Sequence, residues 1–209
     1  MARAEPFLVE YASDDTVPGD REIRAALLQS LHCAHAGDED VALLEELGLC
    51  RGEVRVDVTV VNGSLHGYEI KSDRDSLRRL ARQVAVYSAV LDRATLVVGE
   101  RHLHDAAELV PSWWEIVLAT VAPAGIVLTP VRAGQFNQTR DGRALVELLW
   151  LEDALALLAA RDAVRGFRRK PRHVVWTRVC EVYNIGEIAA AVRDRLKTRK
   201  ARRVAQSHE

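Results

Sequence analysis

The sequence predicts a mixed α/β fold: a mixed sheet core flanked by helices, followed by a helical, basic C-terminal extension. Three observations predict it. Residues 53–61, Glu-Val-Arg-Val-Asp-Val-Thr-Val-Val, alternate strictly, the period-2 pattern of a half-buried strand. Residues 20–36 and 75–92 carry apolar side chains at helical spacing. Beyond residue 142 the pattern is helical throughout and the charge reverses. Residues 1–160 hold 15 basic and 25 acidic side chains, and residues 161–209 hold 14 and 5. A polar connector, Gly134 to Gly142, separates a core over residues 1–135 from an extension over 140–209.

The first helix is expected from Asp20, a candidate cap, to about Ala36, burying Ile23, Leu27, Leu28 and Leu31. Val41 to Leu47 is a short helical or extended piece ending at Gly48. In the strand that follows, Val54, Val56, Val58 and Val60 point one way, and Arg55, Asp57 and Thr59 the other. Asn62-Gly63 is a hairpin turn signal. The return strand, about Leu65–Ser72, sets Glu69 and Lys71 on one face and Tyr68 and Ile70 on the other. A long helix over Asp75–Asp92 buries Leu77, Leu80, Val84 and Leu91, with Tyr87 at its edge. Thr95–Val98 is a strand, 102–109 a short helix, and 115–121 and 125–131 two more strands. Helices over 143–160, 172–182 and 185–200 complete the chain, the last opened by Asn184 and Glu187 as a capping box.

At 209 residues and 48% hydrophobic, the chain can bury a large core without metals or disulfides. That composition excludes a disordered chain and a disulfide scaffold. Cys33, Cys50 and Cys180 are odd in number and widely spaced, which fits a reducing cytoplasm. The stretch Met1-Ala-Arg-Ala-Glu-Pro lacks the apolar run of a signal peptide. The longest apolar stretches, 115–131 and 144–160, are interrupted by Glu115, Pro123, Glu147, Glu152 and Asp153, so no membrane span is expected. A basic tail on an acidic body points to a polyanion such as DNA, or to packing of the tail on the body. Only four of 29 basic residues are Lys, and Lys71 alone precedes residue 170.

Lys71 lies in a hairpin whose ionisable groups converge. Whether Asp57 meets Glu69 depends on register. A two-residue Asn62-Gly63 loop would put them on opposite faces. A three-residue loop of Val61-Asn62-Gly63, with Gly63 left-handed, would pair residue 57 with 67 and make them diagonal neighbours. An odd loop or a bulge is therefore expected. Two carboxylates on rigid strands suit Mg²⁺, a hard cation with oxygen ligands, with the Ile70 carbonyl as a third donor. Such an ion can activate a water, and the Lys71 amine can orient that water or stabilise the pentavalent transition state. Gly67 would leave room for a phosphate backbone.

Asp57, an eleven-residue spacer and Glu69-Ile70-Lys71, between flanking helices, resemble the PD-(D/E)XK nuclease superfamily; Gln83-x-x-x-Tyr87 is similar to the Q-x-x-x-Y of its RecB-like branch. The segment from Arg55 through Glu100, with Tyr68-Glu-Ile-Lys-Ser and Pro111-Ser-Trp-Trp, looks like a small bacterial family of nuclease-like proteins. The resemblance implies a restriction-endonuclease-like core and a Mg²⁺-dependent deoxyribonuclease, with Mn²⁺ as substitute. Asp57, Glu69 and Lys71 would be catalytic. Asp57, Glu69, Ile70 and a further acid would hold the metal. Glu22, Glu45, Glu46 and Glu53 are candidates for that acid, and Glu46 is favoured. Gln83, Tyr87, Arg55, Arg74 and Arg78 would bind DNA. Val56 stands where the motif often has Pro.

Plainer readings stand beside these. Asp57 and Lys71 also fit a cross-strand ion pair, and Gln83 and Tyr87 the edges of helix packing. Arg74, Arg78 and Arg82 fit a solvated face as well as a phosphate track. Trp113 and Trp114 favour core packing over base stacking. His32-x-x-His35 and His102-x-His104 lack a third zinc ligand. No nucleophile elbow and no phosphate-binding P-loop occurs. The rival function is a catalytically inactive DNA-binding or assembly module. It would use a homodimer or a partner protein, engaged through the C-terminal helices.

Overall fold

The computed structural model describes residues 18–206; the reading of residues 1–6 lies outside them. It is a mixed α/β fold, as the sequence predicts, with a six-stranded sheet in the order β1-β2-β3-β4-β5-β6. The strands are β1 (Ala42–Leu49), β2 (Val54–Val61), β3 (Leu65–Lys71), β4 (Arg93–Gly99), β5 (Glu115–Ala122) and β6 (Gly125–Arg132). Only the β3–β4 and β4–β5 pairs are parallel. Those are the two connections that carry crossover helices, α2 (Leu80–Val90) and α3 (Leu103–Leu109).

Two cores sandwich the sheet. The smaller lies under α1 (Asp20–Ala34), where Ile23, Ala26, Leu27 and Leu31 meet Val58, Val60, Ile70 and Val97. The larger joins the other sheet face to α2, α3 and the four C-terminal helices: α4 (Gly142–Val146), α5 (Leu151–Ala160), α6 (Arg172–Val182) and α7 (Ile185–Gln206). Leu158, Val175, Val179 and Val192 of those helices are fully buried with Leu96, Val98 and Trp114.

Several local expectations change. Gly19, not Asp20, caps α1, and its N–H donates to Glu22 Oε2 at 2.9 Å. The span 143–160 is two helices, broken at Trp150, whose N–H donates to Asp153 at 3.2 Å to start α5. The helix expected from Asp75 starts regular α-geometry at Leu80, after a 3₁₀ turn over Leu77–Arg79 whose Arg78 N–H is capped by Ser76 Oγ at 3.3 Å. The capping box at α7 forms as read: Asn184 N–H donates to Glu187 Oε2 at 2.9 Å, and Glu187 N–H to Asn184 Oδ1 at 3.0 Å.

The alternation of β2 changes phase. Val54 and Val56 pack in the larger core, Val58 and Val60 in the smaller. The switch falls at Asp57. Opposite it on β1, Glu46 holds φ +53°, and the ladder is interrupted between Glu45↔Val58 and Leu47↔Val56. A non-glycine residue in the left-handed region costs on the order of 1 kcal/mol and marks a position fixed by its surroundings.

Candidate functional site

The β2–β3 hairpin has an odd loop, as expected, but it is Asn62-Gly63-Ser64. Val61 pairs with Leu65, and Gly63 is not left-handed. Asn62 closes the loop, its Oδ1 accepting from Ser64 N–H at 2.9 Å and Ser64 Oγ at 3.1 Å. The ladder ends at Val58↔Tyr68. Continuing that register brings Asp57 level with Glu69, rather than diagonal to it. Glu46, opposite Asp57 on β1, lines one cleft with Asp57 and Glu69, an acidic row drawn from three strands. The strands part where the ladder ends, and the cleft that opens there holds about 600 Å³.

Most of the residues singled out from the sequence meet here. Asp57, Glu69, Ile70, Lys71, Glu46, Arg55 and Gln83 line the cleft. Tyr87, expected at a helix edge, is fully buried beneath it and stacks on Trp114 with ring centroids 5.5 Å apart. Arg74 and Arg78 are exposed and lie outside this cleft's lining, where Arg79 and Arg82 stand instead. Gly67 leaves no room for a phosphate: a Cβ there would sit 2.5 Å from Leu91 Cδ1 and 3.0 Å from Val56 Cγ1. It lets α2 approach the sheet.

Glu69 and Lys71 are buried together, joined by a Glu69 Oε1–Lys71 Nζ ion pair. Gln83 Nε2 donates to the same oxygen at 2.5 Å, and the Tyr87 hydroxyl donates to Oε2 at 2.5 Å. Burial, then the neighbouring Asp57 charge, pushes the Glu69 carboxyl above the usual range, against the pull of Lys71 and Tyr87. Burial and Glu69 push the Tyr87 hydroxyl up as well.

Arg24 of α1 is the residue that sequence reading missed. Its guanidinium donates to Asp57 Oδ1 at 2.7 Å and to the Asp57 carbonyl at 3.0 Å. It also pairs with Glu46 at 3.2 Å and Asp20 at 3.5 Å. Burial opposes its charge, but Asp57 and Asp20 outweigh that and raise its pKa. The available signal was the Asp20/Arg24 i,i+4 spacing beside the apolar stripe of Ile23 and Leu27. It indicates a helix pair, not a partner on the sheet.

The donor set does not fit a divalent cation in this arrangement. Asp57 Oδ1 is held by Arg24 and Oδ2 by the Ile70 N–H at 2.8 Å; both Glu69 oxygens are engaged. The orphaned buried oxygen of the cleft lining is Gln83 Oε1, a neutral amide acceptor. Among the described residues no group of three or more His, Cys, Asp or Glu is disposed to hold a metal ion. A guanidinium and an ammonium supply the positive charge that a metal would bring.

This is a mixed α/β protein whose central polar cluster is closed by its own cations. A family profile described as "Bacteriophage P4 protein cII" matches residues 14–206, and the chain belongs to that family. It is 29% identical over 93 residues to "Protein cII" of Enterobacteria phage P4, a match spanning 44% of this chain and 35% of that protein. Among solved structures it is similar to the "SPO1766 protein of unknown function from Silicibacter pomeroyi". That likeness has a TM-score of 0.38 and 23% identity over 66% of this chain and 89% of the other, a degree of overlap from which a shared fold does not follow.

Membership of the P4 cII family overturns the PD-(D/E)XK resemblance. With it go the nuclease and hydrolase assignment and the Mg²⁺-dependent phosphodiesterase activity that it implied. The physical reason is visible in the row itself. An Asp and a Glu-x-Lys on neighbouring strands are also what a buried ion-pair network needs, so spacing alone does not separate the two. No helix of the described residues is long and apolar enough to cross a membrane.

Proposed function

We propose that this chain is a non-catalytic DNA-binding module of the P4 cII family, acting in the cytoplasm as a second copy's or another protein's partner. The observation that carries the reading is the segregation of charge: 14 basic against 5 acidic side chains in residues 161–209, on a body of opposite sign. Such a surface attracts a polyanion by releasing its condensed counterions. The internal pairing of the cleft's carboxylates supports the same reading. Asp57 and Glu69 are neutralised internally by Arg24 and Lys71, so the acidic row does not repel DNA as free carboxylates would. The thiols of Cys33, Cys50 and Cys180 are free, which suits a reducing compartment.

The test is fluorescence polarisation of labelled duplex and single-stranded DNA across a salt series. Binding should weaken steeply, log K falling linearly with log salt at roughly 0.9 per phosphate neutralised on duplex. Absence of binding at 50 mM salt would sink the proposal.

A further inference from the structure

The cations of the C-terminal half are of two kinds. Six are paired inside the molecule: Arg161 with Glu187, Arg178 with Glu181, Arg193 with Asp92, Arg195 and Arg199 with Asp153, and Lys197 with Asp40. The turn between α5 and α6 differs. Arg165, Arg168, Arg169 and Lys170 are exposed, and none has an acidic partner among the described residues. Arg172 follows, exposed, its guanidinium 4.7 Å from the centroid of the Trp176 ring.

The turn is held firmly by its backbone and one anchor. Ala163 N–H donates to the Leu158 carbonyl at 2.8 Å, Phe167 N–H to Val164 at 3.0 Å, and Lys170 N–H to Phe167 at 2.9 Å. Gly166 takes φ +84°, which reverses the chain. The Phe167 ring packs against the larger core with Arg178 5.8 Å from its centroid. With Phe167 packed on the core and Trp176 buried, the turn offers cations on a fixed backbone, and the ring exposed beside it is the imidazole of His173. The first turn of α6 contains no acidic residue, so the helix dipole adds to the positive potential.

We infer that the α5–α6 turn is the surface on which the molecule meets the phosphate backbone of duplex DNA, through Arg165, Arg168, Arg169, Lys170 and Arg172. Contact of this kind positions the duplex without reading its sequence. The inference rests on the DNA-binding proposal and assigns it to one surface.

The experiment measures duplex affinity against salt for the wild type, for R165A/R168A/R169A/K170A, and for R21A/R143A, which removes exposed cations elsewhere. The quadruple variant should lose about 30-fold or more in affinity near 100 mM salt, and its salt slope should fall by roughly 3 to 4. The control should stay within about twofold. In parallel, arginine-selective modification of the wild type should show Arg165, Arg168 and Arg169 protected by DNA, a readout independent of whether the quadruple variant folds. If the wild type does not bind, the functional proposal fails. If it binds while the quadruple variant keeps wild-type affinity and slope, or while these arginines stay reactive in the complex, this assignment is overturned and DNA binding stands. Displacement of DNA from the turn by a polyglutamate peptide at equal charge concentration would assign the surface to an acidic protein instead, and would also overturn it.

Discussion

Lys71 stands out in the sequence as the sole lysine before residue 170, and its surroundings give a reason. It is 4% exposed and shares Glu69 Oε1 with Gln83. A compact ammonium fits there, and a planar guanidinium needs more space. Removing one member of a buried pair leaves the other charge unpaired, at a cost of about 3–5 kcal/mol. Glu69→Ala should therefore destabilise strongly. The double replacement Glu69→Leu with Lys71→Met should recover most of that loss, as read by urea unfolding. If the double variant is worse than either single one, the two side chains are not coupled as an ion pair. A second residue-scale device is His66. Its Nε2 lies 2.7 Å from Thr95 Oγ1, whose hydroxyl donates to Glu115 at 2.6 Å, and its ring stacks on Tyr68 at 4.3 Å. Burial, with Arg93 and His35 nearby, lowers its pKa to about 4. The neutral ring belongs to the fold and the unfolded chain takes up the proton near 6.5. Its stabilisation is thus complete above pH 6.5 and is lost as pH falls toward 4, on the order of 2–3 kcal/mol. Unfolding midpoints of His66→Gln should be flatter than wild type across that window.

At the scale of elements, most helices and strands were legible because their apolar periodicity is uninterrupted. The departures have local causes. The 143–160 stretch reads as one helix by composition, yet Asp153 captures the Trp150 N–H and restarts the helix. Residues 41–47 gave no decisive period, since Glu45 and Glu46 follow four apolar residues; pairing with β2 makes Ala42–Leu49 a strand. The β2 alternation looked perfect and still changes phase at Asp57, because the sheet splays where β2 leaves β3 and α1 reaches in with Arg24. Elements far apart in sequence are tied at Asp92. Its carboxylate accepts from the Leu65 N–H at 2.7 Å, pairs with Arg140, and pairs with Arg193 of α7 at 3.2 Å. Asp92→Ala should lower stability by roughly 3–5 kcal/mol. Its signature should be early loss of amide-exchange protection in α7. Unchanged protection there would mean that Arg193 does not depend on Asp92.

On the scale of the whole molecule, charge and core are organised differently. The core crosses the expected 135–140 boundary, since Leu145, Leu158, Val175 and Val192 are buried in the same cluster as Val98 and Trp114. The charge does not cross it evenly: five exposed cations without an acidic partner among the described residues gather at the α5–α6 turn and the start of α6, and Lys200 and Arg202 stand apart on α7. The sequence by itself determined the mixed α/β class, the order of strands and helices, the charge asymmetry and the residues that converge on the hairpin, because periodicity, turn chemistry and net charge are properties of neighbours along the chain. Only the tertiary structure decided what those residues do to one another. Arg24 lies 33 positions from Asp57, and no local pattern links them. The register of an odd loop set which carboxylates face, and long-range ion pairs determined which basic residues remain free to meet a partner.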